Sequence, residues 1–183
     1  MKMKKSFGSL ILYYSLFGLI IVYLVNSTVV LVRGEDTREN LKIIPEPGES
    51  NSTKGTEKSD IIVGNSIVNT IKGKDADDVL MGRQDNDELY GNKGNDILQG
   101  NSGADVLFGD EGNDVIFAGI NEDYLNGGLD NDRLYGDEGD DVLEGEVGSD
   151  YFDCGGGYDV IVDFRKNEGD VAQNNCEEIR VNI

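Results

Sequence analysis

The sequence contains no histidine and no tryptophan, only two prolines and two cysteines, and few basic residues. Each shortage excludes something. Without histidine, no Ser-His-Asp or Cys-His nucleophile pair can form, and no histidine-containing zinc site is possible. Carboxylate-only chemistry survives this exclusion. Sixteen Lys plus Arg face 36 Asp plus Glu, a net charge of −20. Such a chain repels phosphates, so no nucleic-acid partner is expected, whereas cations and basic proteins suit it. What is present in excess is glycine, 25 of 183 residues. Acidic, glycine-rich chains often fail to bury a core, so composition alone is compatible with disorder. The order of the residues is not.

The N-terminus differs from the remainder. Lys2, Lys4 and Lys5 precede a stretch from Ser6 to Val32 with no charged side chain, dense in Leu, Ile, Val, Phe and Tyr between Leu10 and Val25. A basic start followed by an apolar run predicts a helix that serves as a secretory signal peptide or a membrane signal anchor, over residues 1–34. The candidate cleavage sites, Val25-Asn26-Ser27 and Val32-Arg33-Gly34, do not decide between removal and retention. In both cases the lysines place the remainder outside the membrane. Contact with the membrane is therefore expected only through this segment, and the product is extracellular, secreted or anchored at the outer face. Residues 35–54 are polar, carry both prolines, Pro45 and Pro47, and suit a linker.

The rest of the chain repeats. Gly91-Asn92-Lys93-Gly94-Asn95-Asp96-Ile97-Leu98-Gln99 is followed without a gap by further units of nine, and the register runs from Gly55 to Val162, twelve nonapeptides. Position 8 is apolar in all twelve: Ile62, Ile71, Leu80, Leu89, Leu98, Leu107, Ile116, Leu125, Leu134, Leu143, Phe152 and Ile161. Position 6 is Asp in eleven, with Asn69 the exception, and position 1 is Gly in ten, broken by Ala118 and Cys154. From Asp85 onward, position 4 is always Gly, Asn or Asp, the residues that best tolerate a left-handed backbone. Before that it is Lys58, Ile67 and Ala76. The full turn chemistry is thus expected to start near Gly82, with residues 55–81 a degenerate N-terminal cap of the kind terminal repeats form.

One nonapeptide cannot bury its single apolar residue. Two units per coil can, if their position-8 side chains point inward from opposite sides. The pattern predicts an all-β protein, a parallel β-roll in which repeat n lies over repeat n+2, about 4.8 Å away. Leu80, Leu98, Ile116, Leu134 and Phe152 then stack on one side, and Leu89, Leu107, Leu125, Leu143 and Ile161 on the other. The aspartates fall into two columns as well. Asp78, Asp96, Asp114, Asp132 and Asp150 form one; Asp87, Asp105, Asp123, Asp141 and Asp159 form the other. Carboxylates roughly 5 Å apart repel by about 3–4 kcal/mol at an effective surface dielectric. Between Asp75 and Asp163, 25 acids face only Arg83, Lys93 and Arg133. A hard cation resolves that conflict. Calcium accepts six to eight oxygens in flexible geometry, whereas magnesium wants a strict octahedron. Good turn-forming chemistry accounts for Gly and Asn, but a neutral Asn would serve a turn at position 6 without repulsion.

These residues resemble the repeats-in-toxin, or haemolysin-type calcium-binding, nonapeptide G-G-x-G-x-D-x-U-x, whose calcium-binding β-helical form is established. The resemblance covers Gly55 to Val162. It implies a calcium-binding β-roll over residues 82–162 that holds several Ca2+ ions through Asp78, Asp87, Asp96, Asp105, Asp114, Asp123, Asp132, Asp141, Asp150 and Asp159 and through turn carbonyls. Position 2 departs from the pattern, being Gly only at Gly119, Gly128 and Gly155, with Lys74 and Arg83 early in the series. Many members of this family are large toxins, proteases or lipases with the repeats as one module. No catalytic or pore-forming segment precedes the repeats in this sequence, so the toxin activity does not carry over.

After Val162 the period stops, and residues 163–183 are expected to cap the roll. The cysteines are Cys154, in the last repeat, and Cys176. An even count in an exported chain favours a disulfide. The leading expectation is a noncatalytic, exported protein that binds calcium and folds when it does so. The alternatives are a surface, adhesion or matrix spacer rigidified by calcium, or a carboxylate-based polysaccharide-active enzyme on a β-helix. The last would need two distinctive carboxylates in a cleft, with off-repeat acids such as Glu122 or Asp153 as candidates. The protein or polysaccharide partner is not named by the sequence.

Overall fold

The computed structural model describes residues 51–181 in full. N-terminal to them it describes the backbone of five strands, Ser6–Phe7, Leu10–Ser15, Gly18–Val25, Thr28–Arg33 and Asn40–Ile43. The chain divides into two units, Met1–Glu39 and Asn40–Ile183.

In the first unit the four strands pair antiparallel in sequential order. The expected N-terminal helix is not the conformation found. The strands are rich in Ile, Val and Tyr, residues that favour extended backbone. Among the described residues no helix is long and apolar enough to cross a membrane. The side chains on which a signal or anchor would depend lie outside the described residues.

The second unit is a parallel β-solenoid of about seven turns. Each coil contributes one strand to each of two sheets. One sheet contains Asp60–Val63, Val79–Gln84, Ile97–Ser102, Val115–Ile120, Arg133–Glu138 and Tyr151–Asp153; the other contains Thr70–Asp75, Glu88–Lys93, Val106–Glu111, Tyr124–Leu129, Val142–Val147 and Val160–Phe164. Partners are eighteen residues apart throughout the repeats. Leu80 sits opposite Leu98, Leu98 opposite Ile116 and Leu134 opposite Phe152. Leu89 opposes Leu107, and Leu125 opposes Leu143. This is the n, n+2 stacking that the period predicts. The roll also reaches past the repeats. Asn40–Ile43 pairs with Asp60–Val63 and Ser52–Lys54 with Thr70–Lys72. At the other end, Val171–Ala172 pairs with Tyr151–Phe152, and Glu178–Val181 with the Val160–Phe164 strand.

Each six-residue strand runs from position 7 of one repeat to position 3 of the next. Its buried members are position 8 and the following position 1, as at Leu80 and Gly82 in Val79–Gln84 and at Ile116 and Ala118 in Val115–Ile120. All twelve position-8 side chains are fully buried. The core is thus a double file of aliphatic side chains, ended by Phe152 against Phe164 with ring centroids 6.2 Å apart. Position 9 points outward, where Tyr90 stacks on Phe108 and Phe117 on Tyr135.

The two edges of the roll differ. On the edge formed by the turns at 73–78, 91–96, 109–114, 127–132 and 145–150, position 5 is a ladder of side-chain acceptors. Asp77 accepts the Asn95 N–H, Asn95 that of Asn113, Asn113 that of Asn131, and Asn131 that of Ser149, over 2.8–3.3 Å. The opposite edge carries Asn86, Ala104, Glu122, Asp140 and Tyr158 at position 5 and has this bond only at Ala104 and Tyr158.

Candidate metal centre

Each turn spans positions 1 to 6 and folds its position-6 side chain back into its own interior. Asp78, Asp87, Asp96, Asp105, Asp114, Asp123, Asp132, Asp141, Asp150 and Asp159 are all at most 4% exposed. One oxygen of each has a fixed task. The N–H of Asp78 donates to Oδ1 of Asp96 at 2.7 Å, that of Asp96 to Asp114 at 2.7 Å, and that of Asp114 to Asp132 at 2.8 Å. On the other edge Asp87 donates to Asp105, Asp105 to Asp123 and Asp123 to Asp141 at 2.6–2.8 Å. The columns expected from the sequence exist, and they are hydrogen-bonded from coil to coil as well as stacked.

The second oxygen has no partner. Oδ2 of all ten aspartates is buried without a hydrogen bond. A buried polar atom left unserved costs about 1–3 kcal/mol, more if it is charged. Ten in two regular files are a design feature that calls for a ligand.

The N-terminal repeats provide an internal comparison. Asn69 holds position 6 in the second repeat. Its Oδ1 accepts the Asn65 N–H at 2.7 Å, and its Nδ2 donates to Asn65 Oδ1 and to the Ile67 carbonyl. In the first repeat, Oδ2 of Asp60 accepts the N–H of Thr56 at 2.5 Å and its hydroxyl at 3.0 Å. In both repeats a position-2 backbone N–H turns inward to serve the side chain. From Lys74 onward it does not, because position 2 is left-handed in every repeat: Lys74, Arg83, Asn92, Asn101, Asp110, Gly119, Gly128, Asp137, Glu146 and Gly155 all have φ between 66° and 125°. The unserved Oδ2 atoms begin with the same repeat; in Asp60, whose Oδ2 the Thr56 N–H serves, it is Oδ1 that lacks a partner. The turn therefore starts at Lys74, one unit before the Gly82 onset that side-chain preference at position 4 suggests. Ala76, with φ 72°, adopts the left-handed state there despite its Cβ.

Position 1 shows what surrounds the orphan oxygen. A Cβ on Gly91 would lie 2.3 Å from Asp96 Oδ2 and 2.7 Å from the carbonyl oxygen of Gly109 in the next coil. The same pair of oxygens faces Gly73, Gly82, Gly100 and Gly109. Glycine here keeps open a space lined by a carboxylate oxygen and a carbonyl oxygen of the adjacent coil. At position 4, a Cβ on Gly112 would lie 1.7 Å from the Gly94 carbonyl oxygen. The turns of successive coils thus pack backbone on backbone, with their carbonyls between them.

Burial holds these carboxyls well above the ordinary carboxylate range, opposed by the single backbone N–H that each accepts. Asp78, Asp87, Asp96, Asp141 and Asp150 are pushed up to about 7, Asp105 and Asp114 to about 6, and Asp123 and Asp132 to about 8. Asp159 is raised for the same reason. The neighbouring rungs add to the rise, as Asp114 and Asp150 do at Asp132. The donor set is all oxygen, closely spaced and short of positive charge. It fits a hard divalent cation tolerant of irregular geometry, and calcium is a cation of that kind.

The columns end on residues outside the repeat. The Asp150 N–H donates to Asp170 Oδ1 at 3.0 Å, and the Asp159 N–H to Glu177 Oε2 at 2.9 Å. Glu177 keeps the eighteen-residue interval, so the period could have located it. Asp170 is twenty residues on, and the two-residue insertion hides it from any fixed register. The segment carrying both is joined to the last repeat by the Cys154–Cys176 disulfide, as the cysteine count predicts. Shallow grooves lie on the two outer faces, one along Asn92, Asp110, Gly128 and Glu146, another along Asn101, Gly119 and Asp137. Neither is lined by Glu122 or Asp153, two of the off-repeat acids that the enzymatic alternative could use.

A family model of the RTX calcium-binding nonapeptide repeat, four copies long, matches residues 54–89, 63–98, 90–125, 99–134 and 126–161. No curated protein matches the chain. The matched segments together run from residue 54 to 161, more than half of the sequence, and coincide with the stretch that carries the carboxylate columns. The chain belongs to the RTX calcium-binding nonapeptide repeat family.

Proposed function

We propose that the protein is an exported, noncatalytic calcium-binding protein whose roll is stabilised by calcium held between successive turns. Asp78, Asp87, Asp96, Asp105, Asp114, Asp123, Asp132, Asp141, Asp150 and Asp159 are the ligands, with turn carbonyls completing the shell. The observation that carries this reading is the set of ten buried Oδ2 atoms without a donor, set against Asn69, whose side-chain amide the protein itself serves at both ends, and against Asp60, whose Oδ2 accepts from Thr56. Export is supported by the basic, apolar N-terminus and by the disulfide, which an oxidising compartment maintains. The limits that suit this reading are a signal or anchor over 1–34, a short linker up to the Asn40–Ile43 strand, an N-terminal cap up to Gly73, the calcium roll from the Lys74 turn to residue 162, and a cap to the C-terminus.

Binding and folding are coupled, because the carboxylates are unfavourable together without a counter-charge. Circular dichroism and thermal unfolding of the segment from Glu35 to Ile183, in millimolar calcium and in excess chelator, test this. Calcium should raise the melting temperature and restore the β signal, and magnesium should do so weakly. An identical melt in calcium and chelator would overturn the reading.

A further inference from the structure

We propose that Arg165 is a built-in cation that closes the last gap between coils on one edge of the roll, where the gaps before it take metal; this rests on the calcium reading above. From Asp75 to Asp163 the chain has three basic residues among 25 acids, and Arg165 comes two residues after that stretch ends. Its guanidinium donates to the backbone carbonyl of Glu146, at position 2 of the turn one coil earlier. It lies 3.7 Å from the carboxylates of Glu146 and Asp163 and 3.9 Å from that of Glu168, with its side chain only 21% exposed. A positive charge thus sits on a turn carbonyl and on acids of two adjacent coils, the combination that a bound cation would satisfy further up the roll.

The backbone of the same residue completes the arrangement. The Arg165 N–H donates to Asp170 Oδ2 at 2.6 Å, while Asp170 Oδ1 accepts from Asp150. Both oxygens of this terminal rung are therefore served by protein donors, unlike the ten rungs above it. The same kind of bond, from a turn N–H to the side chain that closes the turn, serves Asp60 and Asn69 at the other end of the roll. Glu144, Glu146 and Asp163 place carboxylate oxygens within 4.8 Å of one another beside it. With Arg165 against two of the three, this acidic group is balanced by the chain itself. The consequence is a division of the roll. Its middle depends on calcium, and the Asp163–Asp170 turn, which the chain balances itself, depends on it far less.

Hydrogen exchange read by mass spectrometry on the disulfide-bonded chain, in calcium and in excess chelator, tests this. In the wild type, chelation should speed exchange over residues 91–126 by roughly tenfold or more while residues 163–170 change by less than about threefold. Arg165→Gln should make 163–170 follow the middle, and Arg165→Lys, which keeps the charge, should retain most of the protection. The inference is overturned if the wild-type cap accelerates on chelation as much as the middle, or if the Arg165→Gln cap stays as slow as wild type. Should Arg165→Gln fail to give a β signal in calcium, the wild-type and Arg165→Lys arms decide by the same criterion. A middle whose exchange ignores calcium would instead count against the calcium reading, a separate outcome.

Discussion

The aspartate at position 6 has two oxygens with different duties, and separating them accounts for the choice of residue. Oδ1 needs only to accept the N–H of the previous coil, which an asparagine could do equally well. Oδ2 is the reason for a charge. Asp114→Asn should therefore keep the inter-coil bond, and its amide has a local outlet of the kind Asn69 uses toward the Ile67 carbonyl. The variant should melt higher than wild type in chelator and gain less from calcium. Calorimetric titration should show binding at that turn weakened by roughly tenfold or more, the scale on which ligand charge tunes calcium loops. The raised carboxyls fix the pH dependence. A folded-state carboxyl near 6–8, against about 4 unfolded, means that the native state binds more protons in this window. Metal-free stability should then be highest below about pH 4–5 and fall as pH rises through 6–8. Calcium competes with those protons, so its binding should release protons at neutral pH and weaken in acid. Unfolding in chelator as a function of pH, and titration in two buffers of different ionisation heat, check both signs.

At the scale of the turn and strand, much was legible. The nine-residue period, the invariant apolar position 8 and the two units per coil gave the solenoid and its register, because a strand with one buried face tolerates no slip. The two aspartate columns followed from the same arithmetic. What was not legible depends on backbone state or on breaks in the period. Lys74, Arg83 and Glu146 give no hint of a left-handed φ, since each has a Cβ that disfavours it. The surrounding coils impose it. Lys74→Gly should relieve that strain and, after the added freedom of the unfolded chain, stabilise by about 0.5–1 kcal/mol. Its ion pair with Glu57 is exposed and contributes little to set against this. Thermal melts of the variant in saturating calcium are the measurement, and a lowered melting point would show that the turn does not strain this residue. The Asn95, Asn113 and Asn131 ladder could be seen only after the repeats were sorted by edge. In the N-terminal unit, the lysines and the apolar run suggest a helix, while the Ile, Val and Tyr content favours the extended backbone of its strands.

For the whole molecule, the roll has a direction. Every rung donates its N–H toward the C-terminus and accepts from the N-terminal side, so the two ends present opposite chemistry. Removing coils from the N-terminal end strips donors from carboxylates, which can still take a proton or an ion. Removing them from the C-terminal end strips Asp170 and Glu177 and leaves the N–H groups of Asp150 and Asp159 without their carboxylate acceptors, which calcium cannot replace. Deleting residues 163–183 should therefore cost the calcium-bound protein more than deleting a stretch of equal length ending at Gly73, as compared by chemical denaturation of both truncations. A one-way chain of acceptors also gives the molecule something like a thread. Coils of this kind can be added or lost in multiples of eighteen residues anywhere along the file, provided that the last one still closes on the same pair of acids.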